Sequence, residues 1–135
     1  MTEQYKILLV DDCQDINNVI YDILISEGYS CTQVFDGIQA TALLAKKDFD
    51  LLITDFKMPN MNGVELLDWC RENKKHFPVI IMTANVNQLP EVLVNLNDCC
   101  TAVIKKPMEL EEILKAVEDA KERNHQLECK IKEEN

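Results

Sequence analysis

Short unbroken apolar runs alternate along this chain with stretches in which apolar residues recur every three or four positions. Lys6 to Val10 (KILLV) is the first run and ends in two aspartates. From Asp15 the spacing changes to Ile16, Val19, Ile20, Ile23 and Leu24, which predicts a helix stopped by Gly28. Tyr29 to Phe35 reads as a strand with Asp36-Gly37 as its turn, and Ile38, Ala42 and Leu43 predict a helix ending near Lys46-Lys47. Leu51 to Thr54 is the third strand and again ends in an aspartate, Asp55. A turn-rich loop, Lys57 to Gly63, leads into a helix with Val64, Leu67 and Cys70 on one side. Pro78 opens the strand Val79 to Met82, which ends at Thr83, and Pro90 fits the first turn of a helix carrying Val92, Leu93 and Leu96. Thr101 to Lys105 is the fifth strand, followed by Lys106-Pro107 and a long C-terminal helix. Strand and helix alternating in this way predict an α/β fold, a parallel sheet with helices on both faces and right-handed crossovers.

Composition narrows the class. A chain of 135 residues suits one domain and can bury roughly two-thirds of its unfolded surface without disulfide or zinc. The balance of 14 Lys+Arg against 24 Asp+Glu, a net charge of −10, argues against a nucleic-acid surface, which needs clustered cations. No apolar run approaches the roughly 18 residues of a membrane span, and the N-terminus lacks a signal-peptide pattern. The expectation is a cytoplasmic domain. Its cysteines, Cys13, Cys31, Cys70, Cys99, Cys100 and Cys129, form no CxxC and no zinc spacing with His76 or His125. They read as reduced thiols packed as small apolar groups, with Cys99-Cys100 the one redox candidate.

The polar residues at the strand ends carry the chemistry. In an open α/β sheet, ligands bind outside the carboxyl ends of the strands. Those ends here hold Asp11 and Asp12, Asp55, Thr83 and Lys106. Taken singly, such an aspartate is most often a cap or turn residue, Thr83 a capping hydroxyl and Lys106 a solvated lysine. Together at one sheet edge they predict a site. Clustered carboxylates repel unless a cation neutralises them, and oxygen ligands around a partly open position suit Mg²⁺. A metal with a lysine and a hydroxyl opposite is a site for a phosphoryl group. With no histidine or Gly-rich loop at the site, the remaining nucleophile is a carboxylate, giving an aspartyl phosphate.

These residues resemble the receiver domain of the two-component response regulators. The matching text is ILLVDD at 7–12, LLITDFKMPNMNG at 51–63, IIMTA at 80–84 and KP at 106–107, within a resemblance over roughly residues 5 to 120. It implies a flavodoxin-like, doubly wound five-stranded sheet of order 2-1-3-4-5 with five helices, the last one extended. Asp55 is then the phosphoacceptor. Asp12 matches the direct Mg²⁺ ligand, Asp11 the acid that holds the ion through water, and Lys57 the residue offering a backbone carbonyl. Thr83 and Lys106 match the groups that contact phosphoryl oxygens, and Lys106-Pro107 the family's cis peptide. The implied partner is a sensor histidine kinase or histidine phosphotransfer protein. The chain is then a signalling switch, with any phosphatase activity incidental.

Some positions depart from the family. Val103 stands where an aromatic switch residue is usual, so ring rotation cannot report activation here. Cys99-Cys100 replaces the usual Gly-Ala pair, the segment from Thr83 to Lys106 is slightly long, and Cys13 stands at the usual third acidic position. Lys57 and Asn85 occupy places linked in the family to dephosphorylation rate, and small Ala84 leaves access to the site. Two rivals are an aspartyl-phosphate phosphatase, which would want D-x-D at strand 1, and a flavin carrier, whose phosphate Asp11 and Asp12 would repel. A third is a pseudo-receiver used only for interaction.

The helical pattern runs past the domain's need. A receiver over 1–121 leaves 122–135 as an extension. Leu110, Val117, Asn124 and Ile131 at a, with Ile113, Ala120 and Leu127 at d, form a coiled-coil seam. Arg123 at g and Glu128 at the next e could pair across two chains. That predicts a parallel homodimer through residues 110–131. The plainer readings are a helix that covers the sheet to 120 and then frays, or a linker to an output domain.

Overall fold

The computed structural model describes residues 4–85, 87 and 101–134, with side chains described as far as residue 122. The strands are β1 (Lys6–Val10), β2 (Ser30–Val34), β3 (Leu51–Asp55), β4 (Val79–Thr83) and β5 (Thr101–Lys105). All pair in parallel, in the order β2-β1-β3-β4-β5. The helices among the described residues are α1 (Gln14–Ser26), α2 (Gly37–Leu44), α3 (Gly63–Glu72) and α4 (Leu110–Glu134). The helix expected at Pro90, with Val92, Leu93 and Leu96, and the pair Cys99-Cys100 lie outside the described residues.

Strand side chains alternate between the two faces, which divides the core in two. Leu8, Val10, Leu52, Val79 and Ile81 meet Ala40 and Leu44 of α2 and Leu66, Leu67 and Cys70 of α3. Ile7, Leu9, Leu51, Ile53, Ile80 and Met82 meet Ile20 and Leu24 of α1 and Ile113, Val117 and Ala120 of α4. Covered on both faces, β1, β3 and β4 read as continuous apolar runs, as central parallel strands do. The edge strand β2 (SCTQV) is half-buried and correspondingly polar.

Helix ends are set locally. Gly28 follows α1 at φ +91°, where a side chain would be strained, and its amide donates to the Ile25 carbonyl at 3.0 Å. The Asp36 carboxylate caps α2 through the Gln39 amide at 2.7 Å. Lys121 lies over the rings of Tyr5 and Tyr29, at 5.7 and 5.1 Å from their centroids, and ties α4 to the start of the sheet. Burial pushes the Cys31 and Cys70 thiols up to about 12, which keeps them protonated at neutral pH.

The stripe expected in α1 is corrected, and α2 likewise buries small residues in place of its large apolar Ile38. In α1 the buried positions are Asn17, Ile20 and Leu24, while Ile16 and Val19 are 37% and 54% exposed. In α2 they are Gly37, Ala40 and Leu44, and Ile38 is 54% exposed. Each true face contains small or polar residues that a stripe drawn through the large apolar ones passes over. No described helix is long and apolar enough to cross a membrane.

Candidate functional site

The strands deliver their polar ends to one edge. Asp11 follows β1 and is wholly buried, and its carboxylate accepts the Cys13 amide at 2.9 Å, turning the chain into α1. Asp12, next in sequence, is exposed. Asp55 is the last residue of β3 and is buried. Its successor Phe56 donates its amide to the Met82 carbonyl at 2.8 Å and accepts that of Gly63 at 2.8 Å. A Cβ on Gly63 would stand 2.8 Å from the Asp55 carbonyl oxygen, so only glycine lets the loop close against the Asp55 backbone. Thr83 ends β4, buried, and its hydroxyl lies 3.2 Å from both the amide and the carbonyl of Asn85. The Lys106 amide donates to the Thr83 carbonyl at 2.7 Å, carrying the β4–β5 pairing one residue further.

Side chains then converge. Lys106 Nζ lies 3.0 Å from an Asp55 oxygen and 3.3 Å from an Asp11 oxygen. One carboxylate oxygen each from Asp11, Asp12 and Asp55 fall within 4.8 Å of one another. Burial raises the Asp55 carboxyl above its usual range, and Asp11 and Asp12 add to the rise against the opposing bond and charge of Lys106. Burial alone would lower Lys106, but its bonds and charge interactions with Asp55 and Asp11 outweigh that and hold its ammonium above the usual value. Three carboxylates facing one ammonium leave negative charge over, and hard oxygen donors of this kind fit a dication such as Mg²⁺. Of the residues expected at the site, Asp11, Asp12, Asp55 and Lys106 are together. Thr83 ends the strand beside Asp55's, Lys57 is exposed in the loop after it, and the Lys106–Pro107 bond is cis. Beside Lys106 opens a mostly apolar cavity of about 460 Å³, lined by Ile16, Val19, Met108 and Leu110 among others.

One residue of the site escaped the sequence reading. Asn17 is wholly buried beneath Asp11 and donates to its carbonyl at 3.0 Å. The signal was the spacing 17, 20, 24, which puts it on the face of Ile20 and Leu24.

The sequence profile of the response regulator receiver domain matches residues 7–118. The chain belongs to the response regulator receiver family. This receiver is 37% identical over 91 residues to chemotaxis protein CheY-3 of Vibrio cholerae serotype O1, covering 65% of this chain and 70% of that protein. It is 33% identical over 112 residues to sporulation initiation phosphotransferase F of Bacillus subtilis strain 168, covering 83% and 90%. Among solved structures it resembles the chemotaxis response regulator CheY4 of Vibrio cholerae, with a TM-score of 0.77 at 26% identity over 87% of this chain and 99% of that one. As a receiver, the chain is a phosphoacceptor signalling domain of a two-component system, a family that works with histidine kinases or phosphotransfer proteins.

Proposed function

We propose that Asp55 accepts the phosphoryl group, from the phosphohistidine of a sensor kinase or phosphotransfer protein, in a cytoplasmic setting. The observation that carries this is the bridge from Lys106 to Asp55 and Asp11, which sets one ammonium 3.0 Å from the buried carboxylate at the end of β3. The Asp55 oxygen forms the new P–O bond as the P–N bond to imidazole breaks, and the electron pair leaves on the ring nitrogen, which takes a proton from water. Lys106 and the Thr83 hydroxyl take phosphoryl oxygens, so Lys106 exchanges carboxylate contacts for phosphate ones. Asp11, Asp12, Asp55 and the Lys57 backbone carbonyl would hold Mg²⁺, whose charge when bound offsets that of the carboxylates and the phosphoryl oxygens. Water attack at phosphorus later breaks the bond to Asp55, releasing inorganic phosphate. The Thr83 hydroxyl, now held at Asn85, is the group whose movement toward the phosphoryl biases the switch. The apolar cavity of Ile16, Val19 and Leu110 offers a protein donor a surface beside Lys106.

Incubation with a small phosphodonor and Mg²⁺, followed by intact-mass measurement, tests the assignment. Wild type is expected to gain one phosphoryl mass and Asp55→Ala none. An adduct on Asp55→Ala removes Asp55 as the acceptor. A wild type that never gains the mass points instead to an interaction-only pseudo-receiver.

The domain division at residue 121 is supported by Ile113, Val117 and Ala120, which pack α4 into the sheet core up to 120. The homodimer through 110–131 draws less support. Ile113, Val117 and Ala120, three of the four seam residues up to 120, are buried against the sheet of their own chain. Exposed Leu110 remains for a partner, and Asn124, Leu127 and Ile131 have side chains outside the described residues.

A further inference from the structure

We propose that Asn17 is a positioning residue for the two adjacent acids of the metal site, an inference that rests on the Mg²⁺ reading above. The side chain of Asn17 is wholly buried in the first turns of α1, where an apolar residue would ordinarily pack. Its amide nitrogen donates to the Asp11 carbonyl at 3.0 Å and to the Val34 carbonyl at 2.9 Å. Its oxygen accepts Gln33 Nε2 at 2.9 Å, and the same nitrogen of Gln33 reaches Asn18 Oδ1 at 2.9 Å. Both hydrogens of the Asn17 amide are therefore directed at backbone carbonyls, and its oxygen is tied down from β2.

The position of those carbonyls gives the arrangement its consequence. Val34 ends β2 and Asp11 lies just past β1, where the strand ladder runs out, with Asp11's amide donating to Val34 at a long 3.3 Å. The Asp11 carbonyl belongs to the peptide that joins Asp11 to Asp12. Holding the plane of that peptide sets the relative positions of the two Cα atoms and leaves ψ of Asp11 and φ of Asp12 as the only backbone rotations between it and the side chains. The Asp11 carboxylate is held from its other end by Cys13 and Lys106, and exposed Asp12 has no such support in the described contacts. Asn17 is thus the group that holds Asp12 in line with Asp11 and Asp55 through the backbone. It touches neither carboxylate, so it acts on affinity for the ion and not as a ligand.

Direct Mg²⁺ titration by calorimetry, on the whole 135-residue chain, tests this with Asn17→Leu, Gln33→Ala and Asp12→Asn beside wild type. Asn17→Leu is expected to weaken Mg²⁺ binding roughly ten- to a hundred-fold, as loss of an outer-shell partner does. Gln33→Ala leaves both carbonyl bonds but frees the amide, and a smaller weakening of a few-fold is expected. Thermal melts on the same samples separate the alternatives. A purely structural Asn17 would lower the melting temperature while the folded protein bound Mg²⁺ within twofold of wild type, and that result overturns the proposal. If Asn17→Leu does not fold, Gln33→Ala decides alone: unchanged affinity overturns it. Loss of binding in Asp12→Asn with unchanged Asn17→Leu and Gln33→Ala sinks the positioning role only. Absence of Mg²⁺ binding by wild type sinks the metal site and this inference together.

Discussion

Asp55 is pulled in two directions, by burial beside two other acids and by the ammonium of Lys106. Burial is the larger influence, so the carboxyl lies above its usual 3.8 and the folded chain holds that proton more tightly than the unfolded one. Stability of the metal-free protein therefore falls as pH rises from 3.8 through the folded-state value, and stays lower beyond it. Lys106 has the opposite consequence at the other end of the scale: raised above 10.5, it contributes stability that is complete below 10.5 and lost as pH climbs through its folded-state value. Asparagine at 55 mimics the neutral acid. In chelator at neutral pH, Asp55→Asn is expected to melt above wild type, with the gap closing below pH 3.8, as thermal melts followed by circular dichroism can check. An equal or lower melting point at neutral pH would mean that Lys106 dominates the site. The same balance explains why a dication suits it: charge brought between the acids removes the cost that burial imposes.

At the scale of the element, the β3–α3 loop ties helix formation to the site. Asn62 caps α3 by accepting the Glu65 amide at 2.9 Å, and the Glu65 carboxylate returns to the Asn62 amide at 3.0 Å. Asn62→Ala should cost about 1 kcal/mol, the usual worth of such a cap. Gly63→Ala introduces a Cβ against the Asp55 carbonyl and should cost about 1–3 kcal/mol, as overpacking does. Urea midpoints measure both. Phosphodonor labelling should also slow in Gly63→Ala, because relief of the clash moves the backbone of the acceptor itself; stability lost with labelling rate intact would show that the loop absorbs the methyl. The helices teach a complementary lesson. Large apolar residues at helical spacing identified α1 and α2 as helices, yet Val19 and Ile38 proved exposed while Asn17 and Ala40 are wholly buried. Spacing establishes a period, and the depth of the neighbouring sheet selects the face.

Across the whole molecule, the sheet competes with any second chain for α4. Ile113, Val117 and Ala120 close the core over Ile7, Leu9 and Ile53, leaving a coiled coil within this 135-residue chain only the two heptads of 122–135. Helices that short are marginal alone. Sedimentation at micromolar concentration is expected to give a monomer, unchanged by Asn124→Ile; a dimer altered by that substitution would restore the seam. The acidic excess divides similarly: residues 108–135 carry 9 acidic against 5 basic groups along α4, and Asp11, Asp12 and Asp55 concentrate another part at the strand ends. The sequence by itself determined the strand–helix alternation, the central strands and the acids and lysine of the site, because hydrophobic period and strand-end position are local properties that survive without neighbours. Only the tertiary structure decided which face of α1 and α2 is buried, that Ile113, Val117 and Ala120 of α4 belong to its own sheet, and that Asn17 stands beneath Asp11. Each of those depends on what packs against a residue from far along the chain, and a one-dimensional pattern carries no record of that.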